Sequence, residues 1–302
     1  MADLSTRVRP TRPSRLVSGR AGRRAAVLTA PTVLAIVVLG AYPLAFILAA
    51  AFTDSTLGRP FQEWVGTENL ESILTDGDVV ASFVRTVAYA IVVAVVSVVL
   101  GVAVAVALER ATRAGAVVRT LLLLPLITPP VVVGTLWKLV FNPGGGLLAT
   151  LLPGVSLAPL SSTAWALPAI GLADVWQWTP LIVILVYAAL LTQDPAVREA
   201  ASLDGAHGTG LFRHITWPAI AGTVAAAFFI RIVIALKVFD LVFVMTSGGP
   251  GQASTTTTYL IQQVALKEFD IGRASAITLV FAVIVTAVTL GVAALARKAR
   301  NE

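Results

Sequence analysis

Cysteine is absent from all 302 residues, so neither a disulfide framework nor a thiolate metal site is open to this chain. Histidine occurs twice, at His207 and His214, which leaves too few soft ligands for a metal enzyme. Charge is scarce as well. Asp, Glu, Lys and Arg make up 13% of the residues, against about 25% in soluble domains. With 57% hydrophobic residues and a mean hydropathy of +0.87, the chain has little surface to offer water, and lipid must be its solvent over most of its length.

The apolar residues fall into runs long enough to cross a bilayer, which takes about 20 residues each. Six spans are expected, at about 26–51, 85–108, 119–141, 166–192, 218–246 and 272–296. This is an all-α polytopic membrane protein, with a permease domain over 26–297 between a basic tail (1–25) and a short C-terminal tail (298–302). The first run, uncharged from Ala25 to Thr53, exceeds the 7–15 residues of a signal-peptide core and is expected to stay as an anchor. Span three carries Pro125 and the pair Pro129-Pro130, which remove backbone donors and bend or break a helix. Such a break is tolerated in membrane only where protein or a water-filled cavity covers the freed carbonyls. Outer loops are expected at 53–83, 142–165 (with a short interfacial helix) and 247–271.

Basic residues orient the chain. Seven Arg precede span one, Arg110, Arg113 and Arg119 lie between spans two and three, Arg198 and Arg213 in the central loop, and Arg297, Lys298 and Arg300 at the end. These account for fifteen of the 22 Lys and Arg. By the positive-inside rule both termini and the central loop at 193–217 face the cytoplasm. The same rule accounts for the basic tail better than nucleic-acid binding does.

The central loop is polar between two strongly apolar spans, which is where a partner binds. Asp194-Pro195 stops span four. A helix from Pro195 to Asp204 should follow, ended by Gly205 in the left-handed conformation, then a second short segment with Phe212, Ile215 and Trp217, and Pro218 opening span five. The spacing Glu199-Ala200-Ala201, three residues, Gly205, nine residues, Ile215, two residues, Pro218 resembles the EAA motif of ATP-binding-cassette importer permeases, with Trp217 where Leu is usual. The stretches Leu124-Pro125, Pro129-Pro130 with Gly134 and Trp137, Trp176 to Pro180, Phe239-Asp240 with Thr246 to Pro250, and Phe269 to Ala276 are similar to stretches of the carbohydrate branch of that family. The likeness covers about residues 27–296. It implies a type I importer fold in a bacterial inner membrane. It also implies a second homologous permease, two ATPase subunits, an extracytoplasmic solute-binding protein and a carbohydrate substrate. Glu199, Ala200, Ala201, Asp204, Gly205 and Ala206 would couple to the ATPase. The chain itself would be no enzyme and hold no cofactor. Its glycine-rich Gly248 to Gln252 lacks the Lys-Ser/Thr that holds phosphate and magnesium, so ATP and magnesium belong to partner subunits.

Charges inside the membrane cost at least ~2.5 kcal/mol each at the bilayer centre and therefore face the bundle interior. Asp174 in span four and Lys237 and Asp240 in span five are expected at one level of the outer half, with Lys237 and Asp240 one helical turn apart, and Arg231 deeper. Together with Gln177, Trp178 and, at the outer end of span six, Ser275 and Thr278, they are candidates for a polar substrate pathway. Two plainer readings stay open: Lys237 and Asp240 as an ion pair, and Trp176 and Trp178 as members of the outer aromatic belt. The same charges would suit a proton relay in an ion-coupled transporter.

Overall fold

A computed structural model describes residues 18–110, 115–152 and 158–301. The first tail residues, Arg113 and Glu302 lie outside the described residues, and so do the side chains of the remaining tail arginines. The structure is almost entirely helical. Five helices are long and apolar enough to cross a membrane: Val27–Ala51, Gly77–Glu109, Ala166–Leu191, Thr209–Leu236 and Ile271–Ala294. Counting the bent pair Thr120–Ile127 and Pro130–Val140 as one span brings the total to six.

Helix α1 (Ser18–Ala51) holds Pro31 and Pro43 in its interior and, up to Ala49, forms a unit by itself. The second unit, Ala50–Glu302, is built on three long helices, α3 (Gly77–Arg110), α7 (Ala166–Leu191) and α10 (Trp217–Leu236). Close approach of α3 and α7 depends on Gly101, where an added Cβ would stand 2.6 Å from the Cβ of Ile182. Small residues at helix crossings are how membrane bundles pack without a hydrophobic drive between helices. Toward the 193–217 loop Ala105, Leu108, Ile182, Val186, Ile220 and Val224 form one core cluster. Toward the other end Tyr89, Val93, Ile170, Ala173, Ile232 and Leu236 form a second.

Two spans are broken, the first by a local cause and the second by contacts from later in the chain. Span three breaks at Thr128-Pro129 into α4 (Gly115–Ile127) and α5 (Pro130–Val140), which meet at 102°. Pro129 and Pro130 cannot donate, and the amides of Val132 and Val133 turn back to the Pro129 carbonyl. Span five was expected to be continuous, and it is not. Helix α10 ends at Leu236, residues 237–239 are non-helical, and α11 (Asp240–Met245) resumes the climb. The freed carbonyl of Val238 accepts from the hydroxyls of Thr256 (3.2 Å) and Thr258. The two short half-helices pack on each other. A Cβ on Gly134 of α5 would lie 3.1 Å from Val244 of α11, and Lys138 Nζ donates to the Val244 carbonyl at 3.0 Å.

The loops expected to lie outside are more ordered than their polarity suggested. A two-residue hairpin (β1 Thr53–Asp54, β2 Glu63–Trp64) leads into α2 (Glu68–Thr75). Helix α3 starts at Gly77, well before the expected 85, because Asp76 Oδ1 accepts from the amides of Asp78 (2.8 Å) and Val79 (3.3 Å). After a short helix α6 (Leu147–Leu151), the third outer region carries α12 (Thr257–Leu266). An Arg273–Asp76 ion pair and the Gly272 amide on the Ser55 carbonyl (2.9 Å) tie the start of α13 (Ile271–Asn301) to the first loop.

Candidate coupling loop and intramembrane polar site

The polar island between spans four and five folds as a capped knob. Asp194 Oδ1 accepts from the Ala196 amide at 2.9 Å, and Pro195 occupies the first helical position of α8 (Pro195–Leu203). Gly205 adopts φ +82°. Its amide reaches the Ser202 carbonyl (3.2 Å), and that of Ala206 reaches Ala201 (2.9 Å). This pair of bonds is a Schellman stop, which a β-carbon at residue 205 would strain. Glu199, Ala200, Asp204 and Gly205 are exposed, Ala206 is half-buried, and Ala201 faces inward. Two large apolar side chains of α8 are exposed as well. Leu203 is 89% exposed and Val197 50%. Leu203 stands one turn after Glu199, and that i, i+4 spacing was the signal in the sequence.

The second segment of the loop does not stop before span five. Helix α9 (Thr209–Leu211) passes through a π-turn at Phe212–Thr216 straight into α10, the Trp217 amide bonding to the Phe212 carbonyl. The knob is therefore continuous with span five on one side and joined to span four through Thr192 to Asp194 on the other. Motion of α8 has a short mechanical route to both.

Inside the bundle the expected grouping of charges is redrawn. Arg231 is 0% exposed and Asp174 3%, and they form an ion pair, Nη2 to Oδ2, at 2.9 Å. Tyr89 Oη donates to the same carboxylate oxygen at 2.9 Å, and Arg231 Nε donates to Ser97 Oγ at 3.1 Å. The pair thus bridges α3, α7 and α10. Gln177, 2% exposed and one turn beyond Asp174, donates Nε2 to the Thr128 carbonyl at 3.0 Å. The partner of Asp174 is thus Arg231, the residue expected to lie deeper. A buried charge is stable in apolar surroundings only when paired and hydrogen-bonded, and this is the arrangement that satisfies it.

Lys237 and Asp240 are not one turn apart on a helix face, because the helix ends between them. Lys237 is exposed at the break, and Asp240, half-buried, starts α11. Among the described residues no ion pair joins them. Trp176 is exposed and stands edge-to-face with Trp137 at 6.0 Å, while Trp178 is half-buried. Ser275 is buried in α13, and the Thr278 hydroxyl is returned to the Ala274 carbonyl at 2.8 Å. Tyr89, Ser97 and the Thr128 carbonyl were missed from sequence. Ser82, Thr86, Tyr89 and Ser97 do recur at helical spacing through the Val-rich second span, and that stripe was the available clue. Among the described residues no three His, Asp or Glu are grouped to hold a metal.

A bundle of broken and unbroken spans, with a capped polar knob between two of them, defines the class: a polytopic membrane permease. More particularly, the chain belongs to the binding-protein-dependent transport system inner membrane components, whose family model matches residues 97–301. It is 31% identical to the trehalose/maltose transport system permease protein MalF of Thermococcus litoralis over 76% of this chain and 79% of that one. It is 28% identical to the sn-glycerol-3-phosphate transport system permease protein UgpA of Agrobacterium fabrum over 87% of this chain and 91% of that one. In fold it matches a chain of a bacterial alginate ABC transporter, solved with an alginate pentasaccharide-bound periplasmic protein. The TM-score is 0.78 at 19% identity, with 93% of this chain and 96% of that chain covered.

Proposed function

We propose that this permease is one transmembrane subunit of an ATP-driven importer for a sugar or sugar-like solute. A second homologous permease completes the pathway, two ATPase subunits dock on the cytoplasmic side, and an extracytoplasmic binding protein delivers the solute to the outer loops. Both termini and the 193–217 loop face the cytoplasm. The observation that carries the reading is α8, a rigidly capped helix held out from the bundle with Glu199 and Leu203 exposed on it. Glu199 offers a charge to a cationic groove, Leu203 an apolar anchor, and Gly205 the turn that sets their presentation. ATP and magnesium sit on the partner subunits, and closure of those subunits moves α8 and, through the π-turn, span five, switching access between the two sides. Lys237, Asp240 and Trp178 supply the polar and aromatic contacts of the pathway with Ser275 and Thr278. Asp174, Gln177 and Arg231 form the layer behind them.

Reconstituted with its partners, the complex should take up solute in step with ATP hydrolysis and independently of a membrane gradient. Glu199→Lys should assemble normally yet lower coupled transport on the order of tenfold or more, the scale of a lost coupling free energy. Uptake at the wild-type rate by that variant would refute the docking role. The exposed Lys237, with no ion-pair partner among the described residues, favours a second reading of the solute as an anionic polyol derivative such as a glycerol phosphate. Competition of uptake by neutral disaccharides against phosphorylated polyols separates the two. A proton relay gains nothing from the geometry, since Asp174 is committed to Arg231.

A further inference from the structure

Gln177 presents an asymmetry that packing alone does not explain. Its amide nitrogen is used on the Thr128 carbonyl at the bend of span three, while its Oε1, buried, has no partner among the described residues. The guanidinium of Arg231 is held on Asp174, one turn away along α7, and its Nη1 is likewise buried without a partner. A side chain placed only to satisfy the interior would not leave its carbonyl bare, because an unmet buried polar group costs about 1–3 kcal/mol. Here the amide is directed instead at the Thr128 carbonyl, which loses its helical donor at the break because the Val132 amide turns to Pro129.

We infer that Gln177 is a positioning residue for transport: by holding the Thr128 carbonyl it sets the bend of span three and hence the placement of the half-helix α5. Through Gly134 and Lys138, α5 carries α11, so that same amide bears on where Asp240, the first residue of α11, stands beside Lys237. Asp174 and Arg231 anchor the fixed side, joining α7 to α3 and α10. Gln177 anchors the bent side to α7 from one turn further along. The inference rests on the reading of Lys237 and Asp240 as pathway residues, and Gln177 itself acts through them without touching solute.

The test uses the full complex and exploits the cysteine-free chain. Nitroxides on Thr135→Cys in α5 and Leu172→Cys in α7, both exposed positions, report the distance across the bend. Gln177→Met, which keeps the volume and loses the amide, should broaden or shift that distance. It should also lower the maximal uptake rate on the order of tenfold, with KM for solute unchanged. Gln177→Asn, one methylene short of Thr128, should show the same split and serves if the Met variant does not assemble. A raised KM at an unchanged maximal rate would mean that Gln177 contacts solute and would overturn the inference. Unchanged distance and uptake, or failure of both variants to assemble, would overturn it too, because a positioning amide is dispensable for folding. If the wild-type complex itself does not import on ATP, the functional reading has failed, and the label distances still report on the bend.

Discussion

Arg231 illustrates how much a single buried charge dictates. An unpaired cation there would be costly, and Asp174 and Ser97 accept from the Arg231 guanidinium while Tyr89 donates to the same carboxylate. A buried pair contributes little net stability compared with an apolar pair of the same volume, whereas a half-removed pair is costly. Arg231→Met or Asp174→Leu alone should therefore destabilise the assembled protein by about 3–5 kcal/mol, and the double replacement should recover most of that loss. Thermal unfolding of the detergent-solubilised complex reads all three. A double replacement that loses the sum of the two singles would mean that the pair contributes no coupling. The positions of both charges were legible in the sequence, and so was the rule that they must face inward. Their partnership was not, because helical spacing reports which face a residue occupies and says nothing of which helix lies opposite. Lys237 and Asp240 show the complementary error: three residues apart implies one face only if the helix continues, and it ends at Leu236.

Among the elements, the two breaks differ in how openly the chain declares them. Pro129-Pro130 announces the first, since proline cannot donate. The second has neither proline nor glycine between Leu236 and Asp240, and what stabilises it lies later in the chain, in Thr256 and Thr258. A carbonyl that accepts two hydroxyls tolerates the loss of one. Thr256→Val and Thr258→Val should each have little effect, and together they should cost about 1–3 kcal/mol as the Val238 carbonyl is left bare. The measurement is a double-mutant cycle on thermal stability, and simple additivity of the two singles would contradict the shared-acceptor arrangement. Helix α8 was far more readable, with its first residue Pro195 and its left-handed Gly205 both expected, because caps and stops are local chemistry. The outer elements α2 and α12 were read as loop, since each buries its apolar side against neighbours that are distant in sequence.

For the whole molecule the decisive quantity is sidedness. The knob can meet a cytoplasmic ATPase only if residues 193–217 lie inside, and the case for that is the distribution of fifteen basic residues over the two tails and two of the loops. Lack of cysteine makes this directly measurable, as any introduced thiol is the only one in the chain. His207 and Glu268 are both exposed, the first beside α8 and the second just after α12. In spheroplasts a membrane-impermeant maleimide should label Glu268→Cys at once and His207→Cys only after permeabilisation. Because the knob is proposed to be covered by the ATPase, labelling of His207→Cys in inside-out vesicles should also quicken when the ATPase subunits are stripped away. Labelling of His207→Cys from outside would invert the molecule and remove α8 from any reach of a cytoplasmic motor. Labelling from inside at a rate indifferent to the ATPase would keep the topology and move the docking surface elsewhere on the cytoplasmic face.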